Sequence, residues 1–115
     1  MKLGEWGENK ATKYLTEKDY KIITRNFRCK FGEIDIIALD EKEGAICFIE
    51  VKTRKCLSFG MPKEAINRIK MLHILNTARY YILINDLSEV DLRVDVIEII
   101  KYVNGQSISH TTNIS

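Results

Sequence analysis

Two stretches of helical periodicity bracket three short runs rich in β-branched residues, and a further such run follows the second helix. The order α-β-β-β-α-β predicts an α/β fold, a mixed β-sheet flanked by helices. With 115 residues, 45% of them hydrophobic, the chain has the size of one folding unit and can bury a core without disulfides or metal staples. A single domain is expected over residues 1–109, with 110–115 as a C-terminal tail.

On a helical wheel Gly4, Ala11 and Leu15 fall within about 60° of Glu8, so the first helix carries a small, apolar stripe with an acid in its middle. Asp19-Tyr20 ends that helix, and Tyr20–Arg28 reads as the first strand, with Ile22 and Ile23 at its heart. Residues 33–39 and 46–53 read as two more strands joined in a hairpin through the polar stretch from Asp40 to Ala45. Pairing Asp40 with Ala45 places Asp35 opposite Glu50 and Glu33 opposite Lys52. A slip of one residue would send the two acids to opposite faces, and because both faces of each strand are apolar, hydrophobic pattern alone does not exclude it. Leu57–Ile66, with Gly60 and Pro62, reads as a loop. Asn67 is the expected N-cap of a helix from Arg68 to about Ile84, with Pro62 as a competing first helical position. Arg93–Val103 is rich in β-formers, and Asn104-Gly105 reverses the chain so that Gln106–Ser109 returns as a last short strand.

The longest unbroken apolar runs, Ala45–Ile49 and Tyr80–Ile84, are five residues each, against the roughly 20 that a membrane-spanning helix needs. No membrane partner is expected. The first residues carry Glu5 and Glu8 and no apolar stretch of the secretory kind, which makes a cytoplasmic location the expectation. Cys29, Cys47 and Cys56 are odd in number, form no Cys-x-x-Cys pair and lie far from His73 and His110, so zinc and disulfide frameworks are disfavoured. The net charge of +2 hides local excess: residues 21–31 read +4 and residues 51–70 read +5. Within these windows Arg28, Lys30, Arg54, Lys63, Arg68 and Lys70 are the candidate phosphate contacts. A charge run is more often a solvated face than a binding site, so these windows gain weight only beside a catalytic constellation.

Asp35 and Glu50 supply one. Two carboxylates at cross-strand distance repel unless one takes a proton or a cation sits between them. A hard divalent ion such as Mg²⁺ suits them, since it is typically held by one or two carboxylates together with waters and phosphate oxygens. Lys52 follows Glu50 by two residues and therefore points to the same face, where an ammonium can orient a water or stabilise charge on a phosphate. The ordinary alternative is a partly exposed strand edge with a weak Glu–Lys pair, and three residue types in this pattern recur easily by chance.

Longer blocks are more specific. Gly7-Glu8-x-x-Ala11-x-x-Tyr14-Leu15, Asn26-x-Arg28, Gly32-Glu33-Ile34-Asp35-x-Ile37-Ala38, Phe48-Ile49-Glu50-Val51-Lys52-x-Arg54, Gly60-x-Pro62-x-Glu64-Ala65-Ile66 and Arg93-x-Asp95-Val96 resemble the YraN-type family of small bacterial proteins. Asp35 followed by Glu50-Val51-Lys52, with the helical Gly7-Glu8 before them, resembles the PD-(D/E)XK superfamily of restriction-endonuclease-like nucleases. The resemblance spans about residues 4–100 and departs at the carboxyl end, where His110 and Asn113 match weakly and the family's usual final apolar residues are missing. It implies a restriction-endonuclease-like sheet and Mg²⁺ or Mn²⁺ as cofactor. It further implies Asp35 and Glu50 as metal ligands, Lys52 as the group assisting the attacking water, and Glu8 as a fourth catalytic residue that orients or binds the metal.

The expected activity is metal-dependent hydrolysis of DNA phosphodiester bonds, with branched or repair and recombination intermediates among the candidate substrates. Two rival readings are a non-catalytic nucleic-acid-binding module of the same fold and an adaptor that binds another protein or a second copy of the chain. Asp95, on one strand face with Ile97 and Ile99, is expected to pair with Arg93 or a helix residue. His73 is expected at the surface, and Tyr80 and Tyr81 in the core.

Overall fold

The structure, a computed structural model, describes residues 1–56 and 66–114. Its elements are α1 (Leu3–Glu17), β1 (Tyr20–Cys29), β2 (Gly32–Asp40), β3 (Ala45–Lys55), α2 (Arg68–Ile84), β4 (Asp91–Tyr102) and β5 (Gly105–Thr111). The strands form one sheet in the order β1-β2-β3-β4-β5. β3 and β4 run parallel and the other neighbours antiparallel, because β3 and β4 are joined by a crossover through α2 while the rest are joined by turns. This is the mixed α/β sheet with flanking helices that the sequence predicts.

Each helix covers one face. α1 packs through Ala11 and Leu15 onto Ile36, Cys47, Ile49, Ile97 and Ile99, and α2 packs through Ile74, Ala78 and Tyr81 onto Ile34, Ile37, Phe48 and Val94. Burial on both faces is why β2 and β3 read as nearly continuous apolar runs instead of alternating ones. The buried face of α1 is Gly7, Ala11 and Leu15, whereas Gly4 of the expected stripe is exposed. Gly7 lies so close to Thr53 that a Cβ there would overlap the threonine side chain. Overpacking at this point outweighs the ~1 kcal/mol of helix propensity that alanine brings. Gly7→Ala is therefore expected to cost about 1 kcal/mol net or more, read as a lower urea midpoint with an unchanged slope.

Turn and cap chemistry sets the register. The Asp40 carboxylate accepts from the backbone N–H groups of Lys42 at 3.1 Å and Glu43 at 3.3 Å, and Gly44 takes a φ of +68°, the left-handed conformation that glycine adopts without steric cost. Asp40 thereby faces Ala45, and the ladder continues in the expected register as far as Ile36–Ile49. At the start of α2 the Asn67 side chain accepts from the Lys70 N–H at 2.8 Å, which is the predicted cap. The loop expected before it, and the competing start at Pro62, fall on residues 57–65, outside the described residues.

The carboxyl end differs from the expected tail. β5 runs on through His110 to Thr111, Asn113 N–H donates to Asp95 Oδ1 at 3.0 Å, and Ile114 N–H donates to the Val94 carbonyl at 2.8 Å. His110 and Thr111 belong to β5, and Asn113 and Ile114 are held against β4 by these hydrogen bonds from their backbone N–H groups. Cys29, Cys47 and Cys56 are free thiols. No helix among the described residues is long and apolar enough to cross a membrane.

Candidate acidic site between β2 and β3

The β2–β3 ladder stops at Ile36–Ile49. One residue further, Asp35 turns its carboxylate across to β3, and its Oδ2 accepts from the Val51 N–H at 2.8 Å. A side chain thus holds the two strands where backbone pairing ends. The ladder with β1 keeps its register here but omits the Asn26–Asp35 pair: Arg25 faces Ile36 and Phe27 faces Ile34, the register shift lying earlier, between Ile22 and Thr24. Asn26 has a φ of +55°, which strand residues avoid. Side chains change faces across this irregularity, for Phe27 and Ile34 join the core under α2 while Ile36 joins the core under α1. Asp35 is left directed along the sheet toward β3 instead of into either core.

Glu50 follows Ile49 and takes the opposite face by strand alternation. Its side chain is 15% exposed, and its Oε2 lies 3.2 Å from Lys70 Nζ, on the first turn of α2. Burial foremost, and then the charge and hydrogen bond of the Glu50 carboxyl, push Asp35 up to about 7, against the pull of the Val51 N–H and Lys70. Two neighbouring carboxyl groups share a proton or call for a cation. The donor set is all oxygen and doubly acidic, which fits a hard divalent ion such as Mg²⁺ or Mn²⁺.

The other sequence-predicted residues divide. Lys52 lies on β3 two residues past Glu50 and is half-buried. Glu8 does point inward, as the wheel predicts, but its Oε1 is 3.5 Å from Arg25 Nη2. Among the described residues no group of three or more His, Cys, Asp or Glu side chains converges to hold a metal. The expected convergence of Glu8 with Asp35 and Glu50 is therefore not formed, because the β1 arginine claims that acid. Arg54, expected as a phosphate contact, lies largely buried with its Nε 3.6 Å from Glu98 Oε2. That pairing ties it to β4. Arg28 pairs with Glu33 at 3.0 Å with both side chains mostly exposed, an arrangement of little energetic consequence that a phosphate can replace.

Lys30 lies 5.2 Å from the centroid of the Phe31 ring, and Arg68 is exposed at the start of α2. Lys63 falls outside the described residues. The β1–β2 turn leans on α2 through Phe31 against Tyr80 and Gly32 against Thr77 and His73. Tyr81, as expected, belongs to the core, its ring 5.1 Å from Phe27 and 5.8 Å from Phe48.

A second polar cluster contains the expected Arg93–Asp95 pair and further partners that sequence reading did not name. Arg93 donates through Nε and Nη2 to the two oxygens of Asp95 at 3.0 and 2.9 Å, through Nη1 to Asp40 at 2.8 Å and Glu43 at 3.1 Å, and through Nη2 to the Tyr20 hydroxyl at 2.6 Å. His110 Nε2 lies 2.8 Å from Asp95 Oδ2, and His110 Nδ1 lies 3.1 Å from the Tyr14 hydroxyl. One cluster thus joins α1, β1, β2, β4 and β5. Arg93-x-Asp95 was the available signal; the partners lie up to 96 positions apart and no local pattern announces them.

The profile of the family described as "Uncharacterised protein family UPF0102" matches residues 7–99. The chain belongs to the UPF0102 family. It is 46% identical over 113 residues to a UPF0102 protein of Clostridium novyi, covering 96% of this chain and 92% of that one. A UPF0102 protein of Caldicellulosiruptor bescii is 45% identical over 106 residues, covering 91% and 86% of the two chains. One of Clostridioides difficile is 44% identical over 110 residues, covering 96% and 93%. The YraN-type resemblance read from the sequence is therefore a family membership. Asp35, Glu50, Lys52 and the Arg93–Asp95 pair all lie within the UPF0102 span.

Proposed function

We propose that this UPF0102 protein is a metal-dependent nuclease of the PD-(D/E)XK kind that hydrolyses phosphodiester bonds of DNA in the cytoplasm. The observation that supports this reading is the placement of the Asp35 carboxylate, held across to β3 by the Val51 N–H, next to the Glu50 position where the β2–β3 ladder ends. Mg²⁺ or Mn²⁺ held by Asp35 and Glu50 would neutralise the pair and supply Lewis-acid stabilisation for charge developing on the phosphate. The Val51 N–H fixes the orientation of Asp35. Lys52, on the Glu50 face of the strand, orients the attacking water and stabilises a phosphate oxygen. Arg28, Lys30, Arg68 and Lys70 supply positive charge for neighbouring phosphates, and Glu8 positions β1 through Arg25.

The meeting of two acids without a third, among the described residues, favours as second reading a nucleic-acid-binding module of the same fold that does not cut. Incubation with branched, nicked and single-stranded DNA in Mg²⁺, Mn²⁺ or EDTA separates the two. Cleavage that depends on the metal is expected; binding without cleavage on every substrate would move the protein to the second reading. Affinity for DNA should fall steeply with salt in either case, and its insensitivity to salt would point to a protein-binding adaptor instead.

A further inference from the structure

The acid pair already has a cation. Lys70 Nζ lies 3.2 Å from Glu50 Oε2, and the same ammonium acts on Asp35, opposing the effects of burial and of Glu50. Its place is set by the start of α2: the Asn67 side chain binds the Lys70 N–H at 2.8 Å, and the Asn67 carbonyl binds the Met71 N–H at 3.0 Å. The backbone is thus anchored while the side chain stays 42% exposed. A lysine of this kind carries a point charge on a flexible four-carbon stem and can swing into solvent without unpacking its helix. A divalent ion entering beside the ammonium would crowd three positive charges onto two carboxylates, so the two cations compete for one position.

We propose that Lys70 is a built-in counter-cation: its ammonium fills the cation position of the metal-free acid pair, withdraws when a divalent metal enters, and is then presented to a phosphate oxygen of the bound nucleic acid. This rests on the metal-site reading of Asp35 and Glu50 and adds regulation to it. Metal binding frees a phosphate ligand, and a phosphate that captures the ammonium leaves the acid pair open to metal. Each ligand therefore raises the affinity for the other by the same factor.

The test is calorimetric titration of Mn²⁺ into the whole protein at fixed ionic strength, with no nucleic acid present. Lys70→Met is expected to bind Mn²⁺ roughly two- to fivefold more tightly than wild type, the range set by a partly exposed ion pair that no longer has to break. Lys70→Gln, which keeps a polar end without the charge, should behave alike. Arg68→Met, which removes a neighbouring exposed charge, should change affinity by less than about twofold, as expected for a charge screened by solvent. Affinity in Lys70→Met equal to or weaker than wild type would overturn the inference and leave the metal site standing. Equal tightening by Arg68→Met would also overturn it, by showing a general charge effect. If neither wild type nor Lys70→Met binds Mn²⁺, the inference and the metal site fall together.

Discussion

Arg93→Leu is expected to destabilise the protein by about 3–5 kcal/mol, the cost of leaving buried charges without their partner. Asp95 is fully buried and Asp40 is 6% exposed. Burial alone would push both carboxyls up, yet both are held below the usual carboxylate range. The His110, Arg93 and Asn113 hydrogen bonds outweigh burial at Asp95, and the Arg93, Glu43 and Lys42 bonds outweigh it at Asp40. Without the guanidinium burial prevails and the two acids must take up protons or water. Urea unfolding of Arg93→Leu, Asp95→Leu and the double variant checks this. The double variant should lose clearly less than the sum of the single losses, because the pair falls together. Additive losses would mean that Arg93 and Asp95 act independently.

The second large effect is a stability that falls as pH rises. Asp35 titrates near 7 in the folded metal-free protein and near 4 in the unfolded chain. A group with a raised folded pKa holds its proton longer when folded, so its stabilising contribution is complete below about pH 4 and is lost as pH climbs through about 7. About 2–4 kcal/mol should disappear over that window in EDTA. Asp40 and Asp95, whose pKa values are lowered, act in the opposite sense, and their contribution is lost only as pH falls below the usual carboxylate range. Asp35→Asn should flatten the window from pH 4.5 to 8 and exceed wild type in stability near pH 8. Wild type should regain about 1.4 kcal/mol at Mg²⁺ ten times above Kd, and Asp35→Asn little. A wild-type protein equally stable at pH 5 and pH 8 in EDTA would show that the two acids do not share a site.

The legible parts of this fold are those encoded by neighbours in sequence. The Asp40–Ala45 turn is local chemistry between an aspartate and the next N–H groups, and it sets the expected register down to Ile36–Ile49, which the hydrophobic pattern alone left open to a one-residue slip. The Asn67 cap is equally local. Glu8 shows where such reasoning stops: the wheel correctly turns it inward, but which cation meets it depends on Arg25 of another element. Arg54 shows the same limit, since a basic residue in a basic window reads as a phosphate contact and the neighbouring Glu98 of β4 is not visible from it. His110 belongs to a short polar segment that reads as a tail, and its burial follows from Asp95 on the neighbouring strand. The left-handed Asn26 is visible in the sequence merely as one asparagine, although its conformation opens the strand opposite Asp35.

The most direct measurement of the central claim follows cutting and binding of the same labelled DNA by wild type and Glu50→Ala side by side. In Mg²⁺ the wild-type protein should cleave and Glu50→Ala should not, while Glu50→Ala, with one negative charge fewer at the site, should bind DNA as tightly as wild type or more so. Cleavage that survives in Glu50→Ala, or its absence in wild type on every substrate with both Mg²⁺ and Mn²⁺, would contradict the assignment of Asp35 and Glu50 as a nuclease centre.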